Sequence, residues 1–259
     1  MNTLHLALLF ASSILAGLAN ALAGGGTFFS FPALTAGGLS SLIANATNAV
    51  AVTPGHALAA VAYRDTLGRS KKRLILLGVS SAFGAIGGAY LLTITSVHTF
   101  DMLVPWLLLF ATLSFAAGPY LQKLIKSRKA AAPASIQTKT DSVSVKSAIS
   151  YFFASIYGGY FGAGQGIVLM TILTLTGVDD VQEANALKNA IATVVSLIAV
   201  IVLAFKGFII WKYGILMIIG ATIGGLYGGR LAKRLNKATL RAIVIGVGSF
   251  LTVWYFYKG

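Results

Sequence analysis

Long apolar runs separated by short polar breaks dominate the chain. Stretches approaching or exceeding the roughly 20 mostly apolar residues that a spanning helix needs run over 4–23, 42–62, 74–95, 99–121, 147–163, 184–205, 208–229 and 238–257. They predict an all-α integral membrane protein with about eight transmembrane helices. Two shorter apolar stretches, Thr27 to Gly38 and Ile167 to Gly177, leave open whether they span, re-enter or do neither. One hydrophilic interval of any size, Gln122 to Lys146, carries Lys123, Lys126, Arg128, Lys129, Lys139 and Lys146 around Pro133 and reads as a flexible basic linker. It divides the chain into a first transmembrane repeat at 1–121, a linker at 122–146 and a second repeat at 147–259.

The halves align without gaps at one offset. It carries Gly17 onto Gly158, Gly25 onto Gly166, Thr35 onto Thr176, Asn48 onto Asn189, and Gly84, Gly87 and Gly88 onto Gly225, Gly228 and Gly229. Apolar composition alone would align hydrophobic residues, not this spacing of Gly and Asn. Paired halves of this kind are common in secondary transporters, where each repeat supplies one side of a central site.

Charge then gives orientation. The chain holds 20 Lys and Arg against 6 Asp and Glu, with 57% hydrophobic residues, 10% charged residues and a mean hydropathy of +0.83. A net charge of +14 would suggest nucleic acid in a soluble protein, but here the basic residues lie between apolar runs, so no nucleic-acid partner is expected. The loop holding Arg64, Arg69, Lys71, Lys72 and Arg73 and the central linker are strongly basic, whereas Ser96 to Asp101 has no Lys or Arg. The positive-inside rule places both basic loops in the cytoplasm. In the second half the heavier basic loop, with Arg230, Lys233, Arg234, Lys237 and Arg241, has moved by one position, which favours inverted repeats. The first apolar segment ends in Ala21-Leu22-Ala23, like a cleavage site, but its start has no Lys or Arg and it resembles the start of the second half, so a retained span is expected.

Two constellations carry candidate chemistry. The first is Gly24-Gly25-Gly26-Thr27 followed by Pro32, where a first span should continue, and its counterpart Gly162-Ala163-Gly164-Gln165-Gly166. Gly and Pro break helices, and freed backbone at membrane depth is tolerated only when it is buried in protein or lines a wet cavity. Paired breaks in matching positions point to a transport site near the midplane. The second constellation is Asn45 and Asn48 in one half and Asn185, Lys188 and Asn189 in the other, where amides in a span face the bundle interior. Helix N-termini near these residues would favour an anion without any metal or cofactor. Lys188 lies within a span and several residues from a loop; its candidate partners are Glu183 one turn away, a neighbouring carbonyl or the anion itself, and snorkelling to the interface is the alternative. The glycines at 84, 87, 88, 224, 225, 228 and 229 have packing spacing without polar companions. Trp106, Trp211 and Trp254 lie near span ends or beside Pro105 and are expected to anchor at interfaces.

Enzyme readings fail on inventory. There is no Cys, the three His are scattered, no nucleophile motif Gly-x-Ser-x-Gly occurs and no phosphate-cradling loop is present. Asp179, Asp180 and Glu183 cluster in a short loop where carboxylates are usually solvated. No catalytic residue, metal site or cofactor is therefore expected.

At these residues the chain resembles the TauE/SafE sulfite and sulfonate exporter family, within the 4-toluene sulfonate uptake permease group. The segments that carry the resemblance are 23–34 (Ala-Gly-Gly-Gly-Thr-Phe-Phe-Ser-Phe-Pro-Ala-Leu), 44–48 (Ala-Asn-Ala-Thr-Asn), Pro54-Gly55, 157–166 (Tyr-Gly-Gly-Tyr-Phe-Gly-Ala-Gly-Gln-Gly) and 185–189 (Asn-Ala-Leu-Lys-Asn). The resemblance implies a multi-pass transporter of the bacterial inner membrane that moves small sulfur-containing or organic anions. Its partners would be a small anionic substrate, the lipid bilayer and a coupling proton or other ion, with homo-oligomerisation left open. A passive anion channel built on the same pseudo-symmetric site is the alternative.

Overall fold

A computed structural model describes residues 2–22, 24–130, 145–178, 180–231 and 237–258. Among these residues the chain is all helical: α1 (Thr3–Leu22), α2 (Thr27–Ala36), α3 (Ser41–Ala62), α4 (Arg64–Arg69), α5 (Lys71–Ile94), α6 (Val97–Ala130), α7 (Val145–Tyr160), α8 (Gln165–Leu175), α9 (Val181–Phe205), α10 (Trp211–Leu231) and α11 (Lys237–Lys258). A long helix covers each of the eight apolar stretches. Four of them, within α1, α5, α6 and α9, are long and apolar enough to count as membrane spans among the described residues. The short apolar stretches form α2 and α8, of 10 and 11 residues. At 1.5 Å per residue each reaches about 15 Å, half the thickness of a hydrocarbon core, so neither crosses.

The expected flexible linker begins later than 122, because α6 continues to Ala130 over 34 residues. That is about 50 Å of helix, well beyond a bilayer's apolar thickness. Leu, Gln, Lys and Arg are strong helix formers whatever their polarity, so leaving the apolar run does not end the helix. Pro133 and Lys139 of the expected linker, and Asp179, Lys233 and Arg234, lie outside the described residues.

The same offset that aligns the sequence carries α1, α2, α3, α5 and α6 onto α7, α8, α9, α10 and α11 to within a few residues at most ends. Side-chain contacts fix the relative directions. The amide of Ile210, just after α9, donates to Thr47 Oγ1 near the start of α3 at 3.2 Å. At the other end, Ser70 and Arg73, beyond the end of α3, bind Glu183 in the first turn of α9 at 2.8 and 2.9 Å. The equivalent helices α3 and α9 are therefore antiparallel, the arrangement of an inverted repeat. Packing partners are exchanged in the same way: α1 packs on α10, and α7 packs on α5.

Glycines permit those close crossings. A Cβ at Gly84 or Gly88 of α5 would overlap the carbonyl of Phe152 or Ile156 on α7, and one at Gly17 or Gly224 would overlap Ala221 or Ile14 where α1 crosses α10. Gly87, by contrast, has open space beside it. Around the crossings, Phe28 meets Phe115 edge-on at 5.8 Å and Phe31 meets Phe161 at 5.7 Å, a favoured aromatic geometry. On the outside, Ile75, Phe83, Leu113, Phe153, Ile201 and Phe250 are exposed, as a lipid-facing surface requires. Trp106, Trp211 and Trp254 are exposed with them.

Candidate functional site

The two chain breaks use one device. After α1, Gly24 takes a left-handed φ of 83° and its amide donates to Ala19 O, five residues back, at 3.0 Å. After α7, Gly162 takes φ of 75° and its amide donates to Tyr157 O, again five residues back, at 3.1 Å. Only glycine adopts that conformation without a steric penalty, so the chain can leave each long helix and start a short one. The starts of α2 and α8 meet at the centre of the protein: a Cβ on Gly24 would lie 3.5 Å from Gly166 Cα, and one on Gly166 would lie 3.6 Å from Gly24 Cα. Both short helices thus bring their N-terminal, positive ends toward the midpoint between the halves.

A cavity lies at this meeting point, lined by α1, α2, α3, α7, α9 and the turn leading into α8. It is narrow, with about 20 Å³ available to a water-sized occupant, so any larger occupant requires the helices to part. Its lining is polar. Asn45 Nδ2 donates to Tyr160 O at 2.8 Å, and Asn48 accepts from the Ser30 hydroxyl and donates to Thr27 Oγ1 at 3.3 Å. Asn20 Oδ1 accepts from the Gly26 amide at 2.7 Å, tying the end of α1 to the start of α2.

Three polar atoms around the cavity have no partner: Asn20 Nδ2, Asn45 Oδ1 and Gln165 Nε2. Their residues are only 6%, 4% and 3% exposed. A buried polar group without a hydrogen bond costs about 1–3 kcal/mol, and such exceptions call for a cause, of which a ligand is one. No carboxylate lines the cavity among the described residues. Two basic groups serve it instead. His56 is part of the lining, and half-buried Lys188 passes its stem beside Gly166, with Cδ 3.8 Å from where a Cβ would stand. Lys188 makes no hydrogen bond or ion pair with a described residue. Glu183, one candidate to pair with it, is instead engaged by Arg73 at 2.9 Å.

Of the residues singled out from sequence, Gly24, Thr27, Asn45, Asn48, Gly162 and Gln165 line the cavity, and Gly166 adjoins it. Gly25, Gly26 and Gly164 stand behind that lining. A Cβ on Gly25 would press on Phe115 and Val244 at 2.9 Å, one on Gly26 would press on Asn20 at 2.7 Å, and one on Gly164 would lie 3.5 Å from Ala111. Asn189 is buried but outside the lining. Asn185 turns away, donating Nδ2 to Val181 O of its own helix at 2.9 Å. Asp180 caps α9, its carboxylate accepting from the Gln182 amide at 2.9 Å. Asn20, His56 and Ser196 are lining residues that the sequence motifs did not include. Their signal was a polar side chain within an apolar run, which favours the bundle interior.

Comparison with known proteins agrees with this architecture. Residues 9–255 match the family described as sulfite exporter TauE/SafE. A probable membrane transporter protein, ORF9, of Sinorhizobium sp is 26% identical over 249 residues, which cover 96% of this chain and 91% of that protein. The probable membrane transporter protein YfcA of Escherichia coli strain K12 is 24% identical, covering 99% of this chain and 91% of its own length. A probable membrane transporter protein of Haemophilus influenzae is 23% identical, with 97% and 94% covered. No solved structure matches.

Proposed function

Because the chain belongs to the sulfite exporter TauE/SafE family, we propose that it is a secondary transporter that moves a small anion across the bacterial inner membrane. The anion would be sulfite, a sulfonate or a related organic sulfur or carboxylate anion, and it would pass between the two repeats at 1–121 and 147–259. The eight long helices would be its spans. The observation that carries this reading is the chemistry of the central cavity. Two helix N-termini, unpartnered amide donors on Asn20 and Gln165, His56 and nearby Lys188 converge there, with no carboxylate in the lining. An oxyanion would take hydrogen bonds from the amides and charge stabilisation from Lys188 and the helix ends, as anions do at half-helix breaks.

The narrowness of the cavity supports alternating access over a passive anion channel, which needs a continuous pore. In that scheme Thr27 and Gln165 donate to the anion, with Asn45 and Asn48 forming the wall that positions them, while the repeats rock around it. Gly25, Gly26 and Gly164 let α2 and α8 sit close enough to supply their ends, and Asn185 and Asn189 lie on the α9 face that moves with Lys188.

Flux into proteoliposomes holding the purified chain tests the proposal, using sulfite, methanesulfonate, taurine and acetate. The expected result is saturable entry of sulfite or methanesulfonate with mutual competition, and uphill accumulation under an imposed ion gradient. Entry no faster than into protein-free vesicles for every anion would refute it. Saturable entry that never runs uphill under any gradient would assign the channel instead.

A further inference from the structure

Among the described residues, His56 is the one imidazole of the cavity lining. It is 6% exposed, its ring faces the cavity and it makes no hydrogen bond with a described residue. Its surroundings are specific. From α9, the Lys188 stem passes beside Gly166, near the start of α8. From α7, Tyr160 shares the lining, and Gln165 shares it where α8 begins. From α1, Asn20 would lie 3.4 Å from a Cβ on Gly55, the residue before His56, and from α10 a Cβ on Gly225 would lie 4.0 Å from Gly55 Cα. From α2, Thr27 completes the set.

Other titratable groups on these elements lie elsewhere. His5 at the tip of α1 bonds Asn2, Glu183 of α9 is held by Arg73, and Lys212 and Tyr227 of α10 are exposed. On α6, which also meets α3, His98, Asp101, Tyr120 and Lys123 are exposed. Among the described residues no acid lines the cavity with His56, so a positive charge added there has no counter-charge among them.

We propose that His56 is the proton site of an anion–proton symporter: the imidazole takes up a proton when an anion fills the cavity beside Lys188 and releases it when the anion leaves. This rests on the anion reading above. The proton comes from water on the entry side, binds a ring nitrogen and returns to water on the exit side, so no other group is consumed. Linkage requires reciprocity: an anion that favours protonated His56 is itself bound more tightly when His56 is protonated. Cargo and proton then cross together, and a proton gradient drives the anion.

Proteoliposomes containing a pH dye test this, with the potential clamped by valinomycin and equal potassium. Methanesulfonate is the probe because it does not titrate near neutral pH, and sulfite is run beside it. An inward gradient of methanesulfonate should acidify the lumen with about one proton per anion, and sulfite serves only to show entry. Anion entry without acidification would overturn the coupling while leaving the anion reading intact. Entry of neither anion would remove both. In His56→Gln the proton-to-anion ratio of the remaining flux should fall to near zero, and a wild-type ratio would overturn the assignment. A second protein keeps the question open to refutation if that variant does not fold. With His5→Gln and His98→Gln combined, His56 is the sole imidazole, and its 15N spectrum should move to the protonated form on adding methanesulfonate or sulfite at constant pH. An unchanged ring in the presence of bound anion would rule it out.

Discussion

Lys188 has a role that its surroundings make testable. It sits half-buried in a helix, beside the Gly24–Gly166 contact, and pairs with no described residue. Placing a cation at the centre of a spanning helix costs about 2.5–3.5 kcal/mol on insertion scales, and the cost falls when a counter-ion arrives. Replacing Lys188 with Met should therefore weaken sulfite or methanesulfonate binding about 10-fold or more, the scale of one lost charge-assisted hydrogen bond at roughly 1.5–3 kcal/mol. Lys188→Arg should keep part of the affinity, since it keeps the charge but changes the donor geometry. Glu183→Gln should leave affinity near wild type, because Glu183 binds Arg73 and Ser70 and not Lys188. Calorimetry on the detergent-solubilised protein reads all three, and equal affinity in wild type and Lys188→Met would mean that Lys188 only snorkels. The glycine motif shows how far sequence reaches at this scale. A run of three glycines announced a break, but Gly24 faces the cavity while Gly25 packs on Phe115 and Val244. Neighbours in such a turn point in different directions, and the helix that fills each direction comes from far along the chain. His56 carried only the signal of a polar side chain in an apolar run, and its tertiary neighbours are what distinguish a lining residue from a core one.

Between elements, the joint of α6 and α11 shows a helix defect answered by a distant side chain. Pro119 has no amide hydrogen, so Phe115 O, four residues back, loses its usual helical donor. Arg241 of α11 supplies one, with Nε donating to Phe115 O at 3.0 Å and an NH2 nitrogen donating to Ala116 O at 2.6 Å. Arg241→Ala should lower stability by about 1.5–3 kcal/mol, the range for hydrogen bonds to a charged group, while Arg241→Lys should recover only part because a single ammonium does not reproduce the fork. Thermal unfolding in detergent measures the loss, and an unchanged midpoint in Arg241→Ala would show the contact to be idle. Element positions were largely readable beforehand, because each apolar run long enough to be a helix formed one. Their ends were less so. Apolarity marks where a helix leaves lipid, whereas propensity helps decide where it stops, and α6 carries on through Lys123 and Ser127, with Gln122 donating to Thr171 of α8 at 3.3 Å. The short stretches at 27–38 and 167–177 had no single reading from composition, and contact between Gly24 and Gly166 is what turns α2 and α8 inward as half-helices.

Taken whole, the molecule places the start of α5 and the start of α9 at one end, joined by the Arg73–Glu183 ion pair, and the turn between α5 and α6 at the opposite end of α5. The basic loop at 64–73 is expected in the cytoplasm. Cysteine at Lys71 should then resist an impermeant thiol reagent added outside intact cells, and cysteine at His98 should react with it; both positions are exposed and the chain has no other Cys. The reverse pattern would turn the protein over in the membrane. The exchange of partners between halves has a further effect, on how the protein is made. Gly17 of α1 packs against Ala221, so α1 has its seat in a helix synthesised about 200 residues later. At about 5–20 residues per second, translation leaves roughly 10–40 s between the two. For that interval α1 carries a notch shaped for α10 uncovered, and the insertion machinery or neighbouring lipid must shelter it. The same interlock means that neither half can complete its own packing first, so assembly of this transporter ends as a single late event and not as two domains closing in turn.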